Sequence, residues 1–293
     1  MRKHPVIFGL LLLVITGALF FLVMYVITFL SGESKIISLK DKVGVVILKG
    51  VINKSKEIVD QLDKYDQDDD IKAVVVRIDS PGGAVVPSQE IYDKIVQLKK
   101  KKKVVVSMGS VAASGGYYVA CAANKIVANP GTITGSIGVI VQFPQMEKLL
   151  KKIGLKSIVI KSGKYKDVGS PAREMTSDEK ILLQGVVDDI YDQFIEVVSF
   201  SRSISKKKIE GVADGRIFSG RQALDLGLVD YLGNMEYTIN LAAQLSGIKG
   251  KPQVIYPKEK RSGLLRYIIQ EMVSAVSDEF RGEETGIQYI YIN

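Results

Sequence analysis

A near-continuous run of apolar, mostly β-branched residues, IKAVVVRI at 71–78, constrains the fold more than any other segment of the chain. Strands of this composition are typically buried on both faces, as in the middle of a parallel sheet. Parallel neighbours need crossover connections, which are usually helical and right-handed. We therefore expect strands and helices to alternate on either side of this run.

The rest of the chain shows that alternation. Short apolar runs predict strands at 43–52, 103–108 and 155–163, with two more within KIVANP and GSIGVIV. Helical patterns fall between them: Lys54 to Tyr65, onward from Pro87, Gly115 to Ala123, Met146 to Gly154, Ser177 to about Arg202, and around Gln222 and Met235. This order predicts an α/β domain over roughly 43–255.

Residues 6–30 carry no charge and predict a transmembrane anchor. As a helix the run would be about 37 Å long, enough to cross a hydrocarbon core of about 30 Å. It is longer than the apolar core of a signal peptide, and TFLSGES offers no good cleavage site. Arg2 and Lys3 before the span favour a cytoplasmic N-terminus and an extracytoplasmic domain.

Four parts follow from this organisation. Residues 1–31 are the cytoplasmic tip and anchor, 32–42 a polar tether, 43–256 the folded domain, and 257–293 a C-terminal helix and tail. Apolar residues at helical spacing over 264–276 predict a helix that packs on the domain or on a sister subunit, or else lies on a membrane surface. The apolar, β-prone tail IQYIYIN is expected to dock, because an exposed strand of this kind is an aggregation hazard.

Charge and composition limit the classes of binding partner and cofactor that we expect. The net charge is +8, and its densest run, Lys99 to Lys103, is expected to be a solvated helix end, with attraction to anionic lipid as the alternative. No aromatic or base-reading motif accompanies these lysines, so we expect no nucleic acid partner. One cysteine and one histidine exclude an internal disulfide and a cysteine/histidine metal cluster, and we expect no cofactor.

Two glycine-rich loops follow predicted strands. In AASGG, Ser114 precedes a helix whose dipole favours a nucleophile, and the Gly115 N–H can face a developing oxyanion. In DSPGG, at 79–83, a second N–H from Gly82 or Gly83 could supply the other donor. Each loop alone is also consistent with a tight turn or with close packing.

A serine nucleophile needs a base, and the only histidine, His4, precedes the anchor. The alternative base is a lysine of the loop IKSGKYKDVGSP, which holds Lys161, Lys164 and Lys166. Burial must then lower the lysine pKa by about 3 units, at a cost of about 4 kcal/mol. The spacing does not choose among the three lysines.

The motifs VVVRIDSPGG, SMGSVAASGGYYVACAANKIVANPGTITGSIGVI, KSGKYKDVGSP and GRIFSGRQALDLGLVD resemble the signal peptide peptidase A family of bacterial membrane-bound serine proteases, short form. The similarity covers about 43–245 in order. It implies a Clp protease/crotonase-like α/β fold with a single N-terminal transmembrane helix, and a Ser/Lys dyad of Ser114 as nucleophile and Lys166 as general base. Ser136 would orient the lysine, and Gly83 and Gly115 would form the oxyanion hole.

The resemblance also implies a function. The protein would be a single-pass endopeptidase of the bacterial cell membrane that degrades remnant signal peptides. Its partners would be apolar peptides, the lipid bilayer through residues 6–30, and further copies of itself in a homo-oligomer. The alternative is an inactive crotonase-like scaffold, or an acyl-CoA-type oxyanion-hole protein, at the membrane.

Overall fold

The computed structural model describes residues 12–23, 41–257 and 287–290. Contacts divide the chain into two units, 1–40 and 41–293. In the first, residues 12–23 form helix α1. Within the described ranges, no helix has the length and apolarity that a membrane crossing requires. The expected anchor over 6–30 lies partly outside those ranges, and the expected C-terminal helix over 264–276 lies wholly outside them.

The second unit is a mixed α/β domain. Its strands are β1 (Lys42–Lys49), β2 (Ile71–Ser80), β3 (Gly82–Ala84), β4 (Lys103–Ala113), β5 (Lys125–Ala128), β6 (Ile133–Gly135), β7 (Ile140–Val141), β8 (Ile217–Ser219), β9 (Tyr231–Leu232), β10 (Gln253–Ile255) and β11 (Ile287–Ile290). Its helices are α2 (Lys56–Gln67), α3 (Val85–Leu98), α4 (Gly115–Ala120), α5 (Glu147–Lys152), α6 (Ser177–Arg202), α7 (Lys206–Glu210), α8 (Gly220–Asp225) and α9 (Met235–Leu245).

The expected parallel sheet is present, in the order β10-β1-β2-β4-β5-β9 with every neighbouring pair parallel. Both faces of β2 are buried, as its composition predicts. Val75 packs with Ala242 of α9 on one face, and Val74 and Val76 belong to the larger core on the other, with Phe194 of α6. The sheet is thus a rigid, two-sided support for the loops at its ends.

Two further strand groups lie beyond the carboxyl ends of β2 and β4. Strand β6 continues the sheet beside the last residues of β4 and pairs antiparallel with β8. A separate antiparallel sheet has the order β3-β11-β7. Since β3 follows β2 and Ser114 follows β4, both glycine-rich loops lie at this end of the fold.

The prediction of a strand at 155–163 is wrong, because residues 155–161 belong to no helix or strand. The apolar side chains of Ile158 and Ile160 are 81% and 97% exposed. A strand needs a neighbour to accept its hydrogen bonds. The sequence pattern is strand-like, but no sheet edge is paired with it within the described part of the chain. Strand β4 also runs past the expected end at 108 to Ala113.

Candidate active site

Ser114 occupies a sharp turn between a strand and a helix. Strand β4 ends at Ala113 and α4 begins at Gly115, and Ser114 has φ 52° and ψ −117°. Its side chain is buried, and its carbonyl accepts the first helical hydrogen bond, from the Tyr118 N–H at 2.8 Å. A non-glycine residue in this region is strained, and such strain persists where the surrounding structure enforces it, often at functional sites.

A second strained serine, Ser136, lies next to this turn. The Ser114 N–H donates to the carbonyl of Gly135 at 2.8 Å, and Ala113 is the strand partner of Gly135. Ser136 has φ 48°, is 7% exposed, and donates its own N–H to the Arg216 carbonyl at 2.8 Å. The two serines therefore come directly after the paired ends of β4 and β6.

The first glycine loop packs against the same place. A Cβ on Gly83 would lie 2.4 Å from the Ile52 carbonyl oxygen, and one on Gly116 would lie 3.0 Å from the Ser80 carbonyl oxygen. Gly82 has φ 105° and accepts from the Ile52 N–H at 2.8 Å. The approach at Gly83 leaves no room for a side chain and the one at Gly116 leaves little, and together they hold the loop between Ile52 and the start of α4.

The tail supplies a strand to this loop. Strand β11 pairs antiparallel with β3 on one side, with Tyr289 opposite Gly83, and with β7 on the other, with Gln288 opposite Ile140. An extended segment thus lies across the glycine loop by backbone pairing, the mode in which sheet edges take peptide ligands. The expectation that the tail docks is met for 287–290.

The three lysines of the loop differ in their hydrogen-bond partners. Lys161 donates to Asp167 at 2.5 Å, and Lys164 to Asp178 at 2.6 Å. The hydrogen bond from Lys164 to Asp178 raises the pKa of Lys164 and favours its cationic form. Lys166 is exposed, and no hydrogen bond or ion pair of its ammonium group is recorded among the described residues.

The structure thus brings four of the five expected residues to one place. Ser114, Gly115 and Ser136 lie at the adjoining ends of β4 and β6, and the loop of Gly83 packs on α4. Lys166 lies on the exposed loop, in a turn where its N–H donates to the Gly163 carbonyl at 3.2 Å.

A cavity of about 570 Å³ opens beside Ser136. It lies between the segment that leads into β7, helix α6 and the loop before β8. Its lining includes Val139, Ile140, Val187, Tyr191 and Asp214. Because it borders both Ser136 and the edge strand β7, it is placed to receive a side chain of a strand bound there.

A cluster of charged residues around the lysine loop was not expected from the sequence. Arg173 lies between Asp167 and Glu179, and Glu179 also forms a capping box with Thr176 at the start of α6. The signal was visible in the sequence as TSDE at 176–179, a threonine followed three residues later by glutamate before an apolar run.

Comparisons with known proteins agree on one class of enzyme. A family model described as peptidase family S49 matches residues 96–249, and one described as Clp protease matches 32–132. A Synechocystis protein named as a candidate protease is 51% identical over 60% of this chain and 64% of its own length. One from Methanocaldococcus jannaschii, named likewise, is 37% identical over 70% and 66%.

A third relative, from Enterococcus faecium, is named as a candidate signal peptide peptidase SppA. It is 38% identical over 60% of this chain and 52% of its own length. The chain therefore spans less than two thirds of each of these three relatives.

Proposed function

Because this chain belongs to peptidase family S49, we propose that it is a serine endopeptidase with Ser114 as nucleophile and Lys166 as general base. The observation that carries the proposal is the strained, buried turn at Ser114, set beside Ser136 and packed against the glycine loop. An ordinary packing serine has no need of this backbone conformation, whose energetic cost is about 1–3 kcal/mol.

In the proposed reaction, neutral Lys166 takes the proton of the Ser114 hydroxyl as its oxygen attacks the scissile carbonyl. The backbone N–H groups of Gly83 and Gly115 stabilise the resulting oxyanion, at about 3 kcal/mol for each donor. The lysine then protonates the leaving amine, and water hydrolyses the acyl-enzyme. The Ser136 hydroxyl orients the lysine amine.

Lys166 must lose its water before it can be neutral near pH 7. We propose that further copies of the chain provide this dry environment in a homo-oligomer. The exposed Ile158 and Ile160 lie a few residues before Lys166 and offer apolar surface for such a contact. Assembly would therefore bury the loop and complete the site together.

The proposed substrates are apolar peptides bound as extended strands, with signal-peptide remnants as the class. The pairing of β11 with β3 and β7 supports this binding mode, because backbone hydrogen bonds fix a strand whatever its sequence. An N-terminal anchor over 6–30 would hold the enzyme in the cell membrane, with its domain extracytoplasmic, where such peptides remain.

Separate Ser114→Ala and Lys166→Ala variants test this function with an apolar peptide ester as substrate. Both should lose activity to near background while keeping the wild-type melting temperature and oligomer size. Lys164→Ala is the matched control, since its ammonium is paired with Asp178, and it should stay active. Full activity in the Ser114 or Lys166 variant would reject the dyad and favour a different use of the glycine loop.

A further inference from the structure

Arg173 binds two carboxylates, one in the loop that carries Lys166 and one in helix α6. Its guanidinium donates to Asp167 through Nε and Nη2, both at 2.8 Å, and to Glu179 through Nη1 at 2.8 Å and Nη2 at 2.5 Å. The side chains of Asp167 and Glu179 are only 11% and 3% exposed. Two bidentate pairs on one planar fork fix both the distance and the orientation of their partners.

Glu179 connects this fork to the core of the domain. It accepts the Thr176 N–H at 2.9 Å in the capping box of α6, and the same helix packs Phe194 and Val198 in the core. On its other side the loop is held by the segment before α5, where the Met146 N–H donates to the Pro171 carbonyl at 2.8 Å. The lysine loop is therefore exposed but firmly tied to the domain.

The charges of the cluster also balance. Asp167, which directly follows Lys166, accepts from Lys161 at 2.5 Å as well as from Arg173. Two cations, Arg173 and Lys161, thus face two anions, Asp167 and Glu179. Hydrogen bonds from Arg173 and then Lys161 hold the pKa of Asp167 well below its usual range, and those from Arg173 and Thr176 lower the pKa of Glu179 to about 2.

Other charges on the elements around the loop form two further ion pairs. Lys164 lies over the Tyr165 ring and binds Asp178 at 2.6 Å, and Lys151 binds Glu147 at 2.6 Å on α5. The Glu174 backbone donates to the same Glu147 carboxylate. Asp167 is the acid adjacent to Lys166 in the chain, and its charge is already taken up by Arg173 and Lys161.

We propose that Arg173 is a positioning residue for the reaction. It holds the loop in place and compensates the Asp167 carboxylate, which would otherwise favour the cationic form of Lys166 and keep it from acting as a base. This inference rests on the proposed function of Lys166.

The test is the pH dependence of kcat/KM. Arg173→Met leaves one cation against two anions, so the ascending limb should move to higher pH by about one unit. Adding Asp167→Asn to that variant should move the limb back, and Asp167→Asn alone should move it to lower pH. Arg173→Lys keeps the charge but loses the fork, so the limb should stay while kcat falls about 10- to 100-fold.

Arg202→Met is the matched control. Arg202 lies at the other end of α6, paired with Asp230 at 2.9 Å, so its loss should lower the melting temperature and leave the limb in place. If the limb of Arg173→Met also stays, Arg173 is merely structural and the proposal is overturned.

Two further outcomes keep this proposal separate from the proposed function. A wild-type profile without an ascending limb, or an active Lys166→Ala variant, would overturn both. A wild-type limb that neither Arg173→Met nor Asp167→Asn moves would overturn the role of Arg173 alone. Should Arg173→Met fail to fold, Asp167→Asn and Arg173→Lys carry the same test, and an unmoved limb in Asp167→Asn rejects the proposal.

Discussion

The N–H of Ser114 donates to the carbonyl of Gly135 at 2.8 Å, and Gly135 directly precedes Ser136, so this hydrogen bond brings together two serines that both have a positive φ. Each follows a strand end, and the strands β4 and β6 pair directly. The relative position of the two hydroxyls is therefore set by the sheet rather than by a flexible loop.

Ser136→Ala and Ser136→Gly should both lower kcat by about 100-fold, because each removes the hydroxyl proposed to orient the lysine. They should differ in stability. At φ 48° glycine is unstrained and alanine is not, so the glycine variant should melt at the higher temperature. Equal kcat to wild type in the glycine variant would remove Ser136 from the site.

Gly83→Ala should abolish activity, because its Cβ would lie within 2.8 Å of three Ile52 backbone atoms and must push the loop away. Loss of one oxyanion donor alone lowers kcat about 100- to 1,000-fold. Gly131→Ala is the control, since a Cβ there meets nothing within 4 Å. Measured kcat and melting temperature should separate the two variants. A Gly83→Ala enzyme as active as the control would contradict the proposed oxyanion role of this loop.

Removing the residues after Gly286 should free the edges of β3 and β7 and lower KM for a peptide substrate, because β11 occupies those edges. Tyr289→Pro tests the same point within the full chain, since proline lacks the N–H that strand pairing uses. Peptide kinetics and oligomer size that remain unchanged in both variants would show that the tail does not compete with substrate.

The lowered pKa of Glu179 predicts that the folded chain becomes less stable in acid. Arg173 and Thr176 lower its pKa from 4.5 to about 2 in the folded chain, so its contribution is present above about pH 4.5 and lost as the pH falls toward 2. Glu179→Gln keeps a capping-box residue but no charge. Its melting temperature should be lower than wild type at pH 7, and the difference should shrink as the pH falls through 4.5 toward 2. Parallel curves from pH 7 to 3 would contradict the assignment.

Much of the sheet was predictable from composition. The run at 71–78 lies within β2 with both faces buried, because an apolar β-branched segment has few other places in a folded domain. The extension of β4 through 109–113 was not predictable, since VAA at 111–113 becomes a strand by pairing with β6 and, at Ala112, with Ser80 of β2. The strand-like segment 155–163 shows the converse, a suitable pattern without a partner in the described chain.

The residue types of the candidate site could be predicted from the sequence, but the ion pairs around its lysines could not. Spacing could not separate Lys161, Lys164 and Lys166, because it contains no information on which lysine meets a carboxylate. In the structure Lys161 and Lys164 are both paired with acids, at 2.5 and 2.6 Å. The structure therefore adds a physical reason, beside the family resemblance, to propose Lys166 as the base.

Labelling with a fluorophosphonate reports directly on the proposed Ser114/Lys166 dyad. The reagent phosphonylates an activated serine, and the labelled peptide identifies the residue by mass spectrometry. A working dyad requires a label on Ser114, at a rate that rises with pH to a plateau, and no label above background in Lys166→Ala. A label on another serine, or equal labelling of Ser114 with and without Lys166, would contradict it.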